Sequence, residues 1–380
     1  MTIVNLPTSR RTHFVIDRDK IMTITHDIEE LLIAEPSLKK VKFKKQIPKD
    51  IQSNNIIEGI DDDIEEINRI IGRKPVYHLF DGQNKAEDNR VINLYKAYTY
   101  IMKKKDINKE TLRELYRLIS DGLISSEDLK HMGSYYREDA VCITNRPYFD
   151  EENQGIDYRQ LDYYMNRLFD YINTVEASNY TDSFLISQVI HFFFVYVHPY
   201  FDCNGRTSRT LSMWYLLNHN ANAFLNFNRS IPFTKGKYNK AIERSRDSSD
   251  LTPFIKYMLE TEQTQLEKEY IITSIERDIN RKFTDEEYIL FEFFLSGNHV
   301  ITLASLTQLF DSVNSHHFTL SEVESKLKPF LSNGILIQVG TTKKMINGDR
   351  YNPIYKLNAD MFNINSSRVK KLILPNYLNK

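Results

Sequence analysis

The stretch HPYFDCNGRTSR, residues 198–209, carries a histidine, an acid, an Asn-Gly pair and two arginines within twelve positions. It directly follows VIHFFFVYV, residues 189–197, which is almost wholly apolar. A residue that precedes proline is disfavoured in the α region, so the apolar helix is predicted to end near His198. The Asn-Gly pair predicts a turn, and the next helix is predicted over Arg206–Asn218.

The start of that second helix has the properties of an anion site. Its first N–H groups have no partner within the helix. Arg206 and Arg209 are three apart, which places them on one face of the predicted first turn, where each cation opposes the helix dipole by roughly 0.3–1 kcal/mol. A polyphosphate would reverse this penalty. Asp202 supplies a hard oxygen ligand suited to Mg²⁺, and His198, with an ordinary pKa of about 6.5, can accept a proton at neutral pH.

Each of these residues also has a plainer interpretation. A histidine after an apolar helix commonly caps or packs against it, and an Asn-Gly pair is commonly only a turn. Two arginines on a helix commonly pair with acids of a neighbouring helix. Their coincidence within twelve residues favours the phosphate site.

Length and composition set broad limits on the protein. The 380 residues predict two or three domains, and 41% hydrophobic with 27% charged residues is typical of a folded soluble protein. The net charge of -1 gives no overall basic field for nucleic acid or an anionic membrane. Cys142 and Cys203 are too few for a disulfide framework or a cysteine-rich zinc site. The first residues lack a signal-peptide core and no apolar stretch is long enough for a bilayer, so we expect a cytoplasmic protein without membrane contact.

The periodicity of apolar residues predicts a mainly α fold. Residues 1–110 are predicted to be largely helical, with candidate helices Ile24–Ile33, Lys49–Ile57, Asp62–Ile71 and Ala86–Lys103. Residues 182–197 are apolar around most of a helical circumference, which predicts the central helix of a bundle. Residues 133–150, GSYYREDAVCITNRPYFD, are short, β-prone and bounded by turn formers, which predicts a hairpin.

The C-terminal third has a different pattern. Thr284 and Thr319 each open a Thr-x-x-Glu capping box, and a short helix over Leu303–Val313 lies between the two capped helices. Two β-prone segments separated by an Asn-Gly-Asp turn follow. Three helices and a hairpin predict a winged-helix-like domain in residues 266–380.

The motif at 198–209 resembles the signature of Fic-domain proteins, H-P-F-x-[D/E]-G-N-G-R-x-x-R, with Tyr200 in place of Phe and Cys203 in place of the first Gly. Residues 133–143 resemble the family's target-docking flap, and residues 230–259 resemble the helices that close its nucleotide pocket. NNIIEGI, residues 54–60, resembles the family's inhibitory motif [S/T]-x-x-x-E-[G/N]. The similarity extends over roughly residues 30 to 260.

This resemblance implies a helical Fic-type bundle with a short β-hairpin flap, followed by the winged-helix-like domain. The implied organisation is an N-terminal helical region over 1–110 with the inhibitory helix near 49–59, and a Fic core over 111–265. The core would contain the flap near 133–149 and the motif at 198–209.

The resemblance also implies transfer of AMP from Mg-ATP to a hydroxyl of a target protein, or of the chain itself. His198 would be the base, and Asp202 would hold Mg²⁺. Asn204 and the Gly205 backbone would stabilise charge on the α-phosphoryl group, and Cys203 would belong to the same nucleotide-binding loop. Arg206 and Arg209 would bind the β- and γ-phosphates, and the target would dock along the flap near Val141–Ile143. Tyr238 and Asn239 would line the adenine pocket, although Tyr238 fits a packed aromatic side chain equally well.

Two positions raise separate questions. Glycine at a phosphate-binding loop allows φ > 0, so the Cβ of Cys203 either tilts the loop or is simply tolerated. By the resemblance, Glu58 would pair with Arg209 and keep the γ-phosphate from binding, with Asn54 at the family's Ser/Thr position. A Glu-Gly pair at a helix end is otherwise typical of an ordinary surface.

Other functions remain open from the sequence. The same site could remove AMP or transfer another nucleotide-derived group, or the chain could be a nucleotide-sensing DNA-binding regulator. The second capped helix carries Lys326 and Lys328 together with Glu322 and Glu324, a poor surface for phosphate. Lys343, Lys344 and Arg350 form the better basic patch. We expect a protein-interaction or dimerising role for this domain, a homodimer included, with DNA binding weak or absent.

Overall fold

The computed structural model describes residues 1–40, 43–72, 86–142, 155–295, 300–313, 317–346 and 350–358. The chain divides into two compact units, Met1–Gln265 and Leu266–Lys380. Most described residues are helical and the sheets are small and antiparallel, so the predicted mainly α fold is confirmed.

The first unit is built from helices that lie close to the predicted ranges. They are α1 Met22–Ala34, α2 Phe43–Ile57, α3 Ile64–Gly72, α4 Ala86–Ile101, α5 Lys109–Ser120, α6 Ser126–Lys130, α7 Leu161–Thr174, α8 Tyr180–Val197, α9 Asn204–Asn218 and α10 Lys235–Ser248, followed by α11, Thr252–Asp278, in which the division between the units falls.

Helix α8 is the centre of this unit. Fifteen of its eighteen residues are buried, and Phe192, Phe193 and Phe194 are completely inaccessible to solvent. The prediction of a central helix is therefore confirmed. Helix α9 packs against α8, and its Trp214 is also fully buried. The polar loop between α8 and α9 is consequently fixed at both ends by helices of the core.

Helix α2 begins earlier than predicted, because Pro48 does not end it. The helix was expected from Lys49, since proline removes a backbone donor from a helix interior. Phe43, Ile47 and Ile51 recur at helical spacing and are all buried, so the apolar face continues across the proline. The helix ends at Ile57, and Gly59 has a φ of +89°.

A small β-ribbon at the N-terminus was not predicted. Strands β1, Thr2–Val4, and β2, Phe14–Ile16, pair antiparallel. Phe14 lies edge-on to Phe192 and Tyr196 at ring-centroid distances of 5.5 and 5.3 Å. Three-residue strands are too short for their alternation to be recognised, which explains why a helical prediction of residues 1–110 missed them.

Only the first half of the predicted flap lies in the described part of the chain. Met132 and Arg137 form an isolated antiparallel bridge, and the Gly155 amide donates to the Val141 carbonyl at 3.2 Å. Residues 143–149, including Ile143 of the expected docking segment, lie outside the described residues. The hairpin therefore remains a prediction.

The second unit contains α12 Asp285–Leu295, β3 Ile301–Thr302, α13 Leu303–Val313, α14 Leu320–Ser332, β4 Leu336–Ile346 and β5 Arg350–Leu357. Both predicted capping boxes form, since the Thr284 and Thr319 amides each donate to a glutamate three residues later. The strands are ordered β3-β5-β4 and share one core with the helices. The winged-helix interpretation and the DNA-binding expectation stay predictions, because the side chains of Lys343, Lys344 and Arg350 lie outside the described part.

No helix within the described ranges is both long and apolar enough to cross a membrane.

Candidate active site

The loop between α8 and α9 is shaped by two residues with left-handed backbone conformations. His198 caps the end of α8 with φ 52° and ψ 62°, and Cys203 precedes α9 with φ 62° and ψ 12°. A non-glycine residue in this region costs roughly 1–2 kcal/mol, so the surrounding contacts must hold both. Helix α9 begins at Asn204 and not at Arg206. Arg209 therefore lies in its second turn, which corrects the expectation that both arginines occupy the first turn.

His198 is held as a neutral imidazole. Its Nδ1 lies 3.3 Å from the Val195 carbonyl, which can only accept, so Nδ1 carries the proton and Nε2 keeps its lone pair. Burial lowers the pKa of His198 to about 4, with a smaller lowering from Arg137. The ordinary value expected from the sequence is therefore wrong for the folded protein, and the imidazole is unprotonated at neutral pH.

Arg137 belongs to this site, although the sequence did not single it out. Its side chain is almost fully buried, and Nε donates to the His198 carbonyl at 2.9 Å. Nη1 donates to the Asp139 carbonyl at 2.6 Å, and Nη2 donates to the Ile156 carbonyl. Nothing in the local pattern YYRED distinguishes a buried arginine from an exposed one, because two of its three acceptors are backbone carbonyls of distant segments.

Cys203 is a buried, protonated thiol. Burial raises its pKa to about 12, and Arg206 Nη1 donates to its Sγ at 3.8 Å. A thiolate nucleophile is therefore disfavoured at neutral pH. The positive φ shows that this position does require the conformation for which the family signature supplies glycine.

Asn204 has a different arrangement from the one expected. Its Oδ1 accepts from the Tyr200 amide at 3.1 Å and its Nδ2 donates to the Tyr200 carbonyl at 2.8 Å. Both ends of the buried amide are thus engaged with the backbone of the loop. In this structure Asn204 fixes the loop, and it does not present a free amide to a phosphoryl group.

Glu58 and Arg209 meet across the site. Arg209 Nη2 donates to Glu58 Oε1 at 2.5 Å, while the Arg209 side chain is 2% exposed and that of Glu58 is 32% exposed. Burial alone would raise the pKa of Glu58, but Arg209, Arg206 and Lys235 together lower it below its ordinary value. Three cations therefore surround one ionised carboxylate.

A second nitrogen of the Arg209 guanidinium, Nε, is held by Asn54. Arg209 Nε donates to Asn54 Oδ1 at 2.5 Å, and Asn54 Nδ2 donates to the Tyr98 hydroxyl at 2.6 Å. That hydroxyl in turn donates to the buried carboxylate of Asp50, whose pKa is raised by burial. The chain from Asp50 to Arg209 was not predicted, because it joins residues of three helices.

Gly205 leaves room for the Glu58 carboxylate. A Cβ at position 205 would lie 2.5 Å from Glu58 Oε1 and 3.1 Å from Arg209 Nη1. The absence of a side chain here is what allows the acid to approach the start of α9. The same space is available to any other anion that replaces Glu58.

Tyr238 is a packed aromatic residue. It is buried, its hydroxyl lies 3.0 Å from His191 Nε2, and its ring contacts Phe254 and Tyr257 at centroid distances of 6.1 Å. This is the packed arrangement that the sequence allowed, and a contact of Tyr238 with adenine stays a prediction. Asn239, the following residue, is exposed on α10.

Asp202 lies at the open end of the loop. Its side chain is exposed, and Oδ1 accepts from the Cys203 amide at 2.5 Å. Within the described ranges, no three His, Cys, Asp or Glu side chains converge on a common point. These donors fit a Mg²⁺ ion held by one carboxylate, phosphate oxygens and water, and do not fit an ion enclosed by protein ligands.

Comparison with known proteins agrees with this geometry. Residues 106–216 match the model of the Fic/DOC family. A Fic family protein from Desulfovibrio desulfuricans G20 superposes with a TM-score of 0.54 and 17% identity, over 89% of this chain and 96% of that one. At this identity the likeness concerns the fold alone.

Two further solved structures are more distant. Fic-1, residues 134–508, from C. elegans gives a TM-score of 0.45 at 19% identity, over 67% of this chain and 71% of that one. A Fic domain containing signaling protein from Bacteroides thetaiotaomicron VPI-5482 gives 0.39 at 15% identity, over 66% and 95%. No curated protein matches the sequence. The family match includes the whole of the loop from His198 to Arg209, so residues 106–216 are similar to the Fic/DOC family in the region of the candidate site.

Proposed function

We propose that this protein transfers AMP from Mg-ATP to a hydroxyl group of a target protein or of itself, and that Glu58 restrains the reaction. Fic family members are generally nucleotidyl transferases, which supports the reaction class. The choice of AMP follows the resemblance of the motif at 198–209, and the role of each residue and the restraint are supported by the geometry described above.

The observation that carries the proposal is an excess of buried positive charge. Arg206 is 8% exposed, and its buried Nε meets no hydrogen-bond acceptor among the residues that the structure describes. Buried cations are normally paired, because an unpaired one loses its hydration without compensation. Arg206, Arg209 and Lys235 all act on the one carboxylate of Glu58, while the more distant Asp50 interacts with Arg209. A polyphosphate at the first turns of α9 would supply the missing negative charge.

Mg²⁺ would be held by Asp202 together with the phosphates. When bound, the ion neutralises charge on the phosphate oxygens and helps to fix their position. Arg206 and Arg209 would grip the β- and γ-phosphates, and the backbone N–H groups at Gly205 would face the α-phosphoryl group. Catalysis would then consist mainly of positioning and electrostatic stabilisation.

His198 would act as the general base. Its Nε2 lone pair accepts the proton of the target hydroxyl while the hydroxyl oxygen attacks the α-phosphorus. The bond from the α-phosphorus to the bridging oxygen breaks, and pyrophosphate leaves with that oxygen. The neutral imidazole is already in the required protonation state at physiological pH.

Glu58 would restrain this reaction by occupying Arg209. While an N–H of Arg209 Nη2 donates to Glu58, that N–H cannot donate to the γ-phosphate. ATP then binds without its α-phosphate aligned for attack, and a misplacement of about 1 Å can reduce a rate by about a hundredfold. The restraint needs no second conformation of the catalytic loop.

The position of the transferred label tests the reaction. The purified chain is incubated with Mg-ATP labelled in the α- or the γ-phosphate, and incorporation into protein is followed by autoradiography and intact mass. We expect α-label and a mass gain of AMP, both abolished by His198→Ala. His219→Ala, at the end of α9, serves as the matched control and should retain incorporation. Transfer of γ-label would indicate a kinase and overturn the proposal.

A further inference from the structure

The side chain of Arg137 binds three separate segments around His198. Nε donates to the carbonyl of His198, Nη1 to that of Asp139 and Nη2 to that of Ile156. The Arg137 amide also donates to the Pro199 carbonyl at 3.0 Å. One residue therefore holds the two successive carbonyls at the end of α8 and the two chain segments that flank residues 143–154.

These contacts bear on the conformation of His198 itself. The residue combines φ 52° with a following proline, which leaves its backbone few alternatives. Its amide donates to the Phe194 carbonyl at 3.0 Å, and its carbonyl accepts from Arg137 at 2.9 Å. Arg137 is thus the side chain that fixes the outer half of the His198 backbone, and the direction of the imidazole follows from that backbone.

Gly155 completes the arrangement. A Cβ at this position would lie 2.8 Å from Arg137 Nη2, 3.0 Å from Val141 Cγ1 and 3.3 Å from His198 Cβ. The chain returning towards α7 therefore passes directly over both Arg137 and His198. Because the Gly155 amide also donates to the Val141 carbonyl, the segment next to the expected docking site is tied to the same cluster.

We propose that Arg137 is a positioning residue for the transfer reaction. It fixes the position of the His198 imidazole relative to the segment at Val141, beside which the acceptor hydroxyl binds. The inference rests on the proposed function for the identity of the reaction. It adds that the alignment of base and acceptor depends on a planar guanidinium with three donors in fixed directions, which lysine cannot reproduce.

Two variants separate positioning from folding. Arg137→Lys keeps the positive charge but loses the fixed directions of the three side-chain hydrogen bonds, and Arg137→Gln loses both the charge and these directions. Leu168→Ala, in the buried face of α7, is the control for general destabilisation, since Leu168 is fully buried and takes no part in the loop. All are made in the full chain carrying Glu58→Gly, and each rate is corrected for the folded fraction.

The readouts are ATP affinity, the rate of α-label transfer and the pKa of His198 by NMR, with the resonance assigned from His198→Gln. We expect both Arg137 variants to bind ATP as the parent does and to lose about a hundredfold in transfer rate. The pKa of His198 should rise in Arg137→Gln, because Arg137 is one of the groups that lower it. Leu168→Ala should unfold at a lower temperature and keep both its rate and its His198 pKa.

Equal transfer rates for the Arg137 variants and Leu168→Ala, together with an unshifted His198 pKa, would overturn the proposal. If Arg137→Gln does not fold, Arg137→Lys decides through its transfer rate and ATP affinity. If the parent itself transfers no AMP, the proposed function fails. The NMR comparison then still decides whether Arg137 sets the environment of His198.

Discussion

Asn54, in the last turn of α2, and Glu58, just after that helix, bind two different nitrogens of the Arg209 guanidinium. Asn54 Oδ1 accepts from Arg209 Nε, and Glu58 Oε1 accepts from Arg209 Nη2, both at 2.5 Å. The two contacts differ in their surroundings, because Asn54 is fully buried while Glu58 is partly exposed. Glu58 can therefore be displaced by a phosphate while Asn54 keeps Arg209 oriented.

Asn54→Ala should weaken ATP binding as well as stability. Its loss leaves the buried Arg209 Nε without its acceptor, which costs roughly 1–3 kcal/mol. It also removes one hydrogen bond to the Tyr98 hydroxyl, which keeps its bond to Asp50. We expect a lower melting temperature and a lower ATP affinity in the Glu58→Gly background. Ser53→Ala is the matched control, since Ser53 Oγ only donates to the Lys49 carbonyl of its own helix. An unchanged ATP affinity in Asn54→Ala would show that Arg209 needs no support from α2.

Gly205→Ala tests whether Glu58 occupies the space of a phosphate. The added Cβ would lie 2.5 Å from Glu58 Oε1, so the flexible carboxylate must move and its contact with Arg209 is lost. In the Glu58→Gly background the same Cβ would face the incoming phosphate, and we expect ATP affinity to fall at least tenfold. The affinity for adenosine, which carries no phosphate, should stay the same. If ATP binds equally well with alanine at this position, the two anions do not share a site.

Cys203→Gly tests the strain at the loop. A residue at φ 62° carries a conformational penalty that glycine avoids, so we expect the variant to transfer AMP a few-fold faster or to bind ATP more tightly. Cys203→Ala removes the thiol contact with Arg206 but keeps the Cβ, and it should resemble the wild type. Isothermal titration and initial rates compare the three proteins. Equal values for glycine and alanine would assign the effect to the thiol.

The decrease of kcat/KM for AMP transfer at low pH should be centred near the shifted pKa of His198. Burial and Arg137 lower this pKa and Glu58 raises it, to about 4 in the folded protein. The neutral imidazole is the active form, so kcat/KM of the Glu58→Gly variant should be level from about pH 6 to 8 and fall only below about pH 5. A decrease centred near the ordinary value of about 6.5 would contradict the buried environment of the base.

The same shift has a consequence for stability. A histidine whose folded pKa lies below its unfolded value stabilises the protein fully above the unfolded value, and this contribution is lost as pH falls towards about 4. Wild type should therefore lose more stability between about pH 6.5 and 4 than His198→Gln. Thermal unfolding of both proteins across that range measures the difference.

The sequence predicted the helical fold and the motif because both depend on local patterns. Helix α8 was recognisable from its continuous apolar surface, its end followed from the proline after His198, and the starts of α12 and α14 followed from their capping boxes. The start of α2 was misplaced because burial of Phe43 and Ile47 outweighs the local effect of Pro48. Tertiary packing, which the local pattern does not contain, decided that boundary.

The candidate site was only partly predictable for the same reason. Residues within 198–209 were identified from their spacing, and Glu58 from its resemblance to a known motif. Arg137 was missed because two of its three acceptors lie 19 and 61 positions away. Tyr98 was missed because its partners lie 44 and 48 positions away. The shifted pKa of His198 also depends on burial that residue types alone do not reveal.

The central claim is that the Glu58–Arg209 contact holds back AMP transfer. Its most direct test is incorporation of α-phosphate label from Mg-ATP into the full chain, measured side by side for wild type, Glu58→Gly, Arg209→Ala and the double variant. We predict little label in wild type and a strong increase in Glu58→Gly, by far more than ATP affinity changes. Arg209→Ala and the double variant should both stay low and equal, because Arg209 is also needed for the γ-phosphate. Equal labelling of wild type and Glu58→Gly would contradict the account and make this contact purely structural.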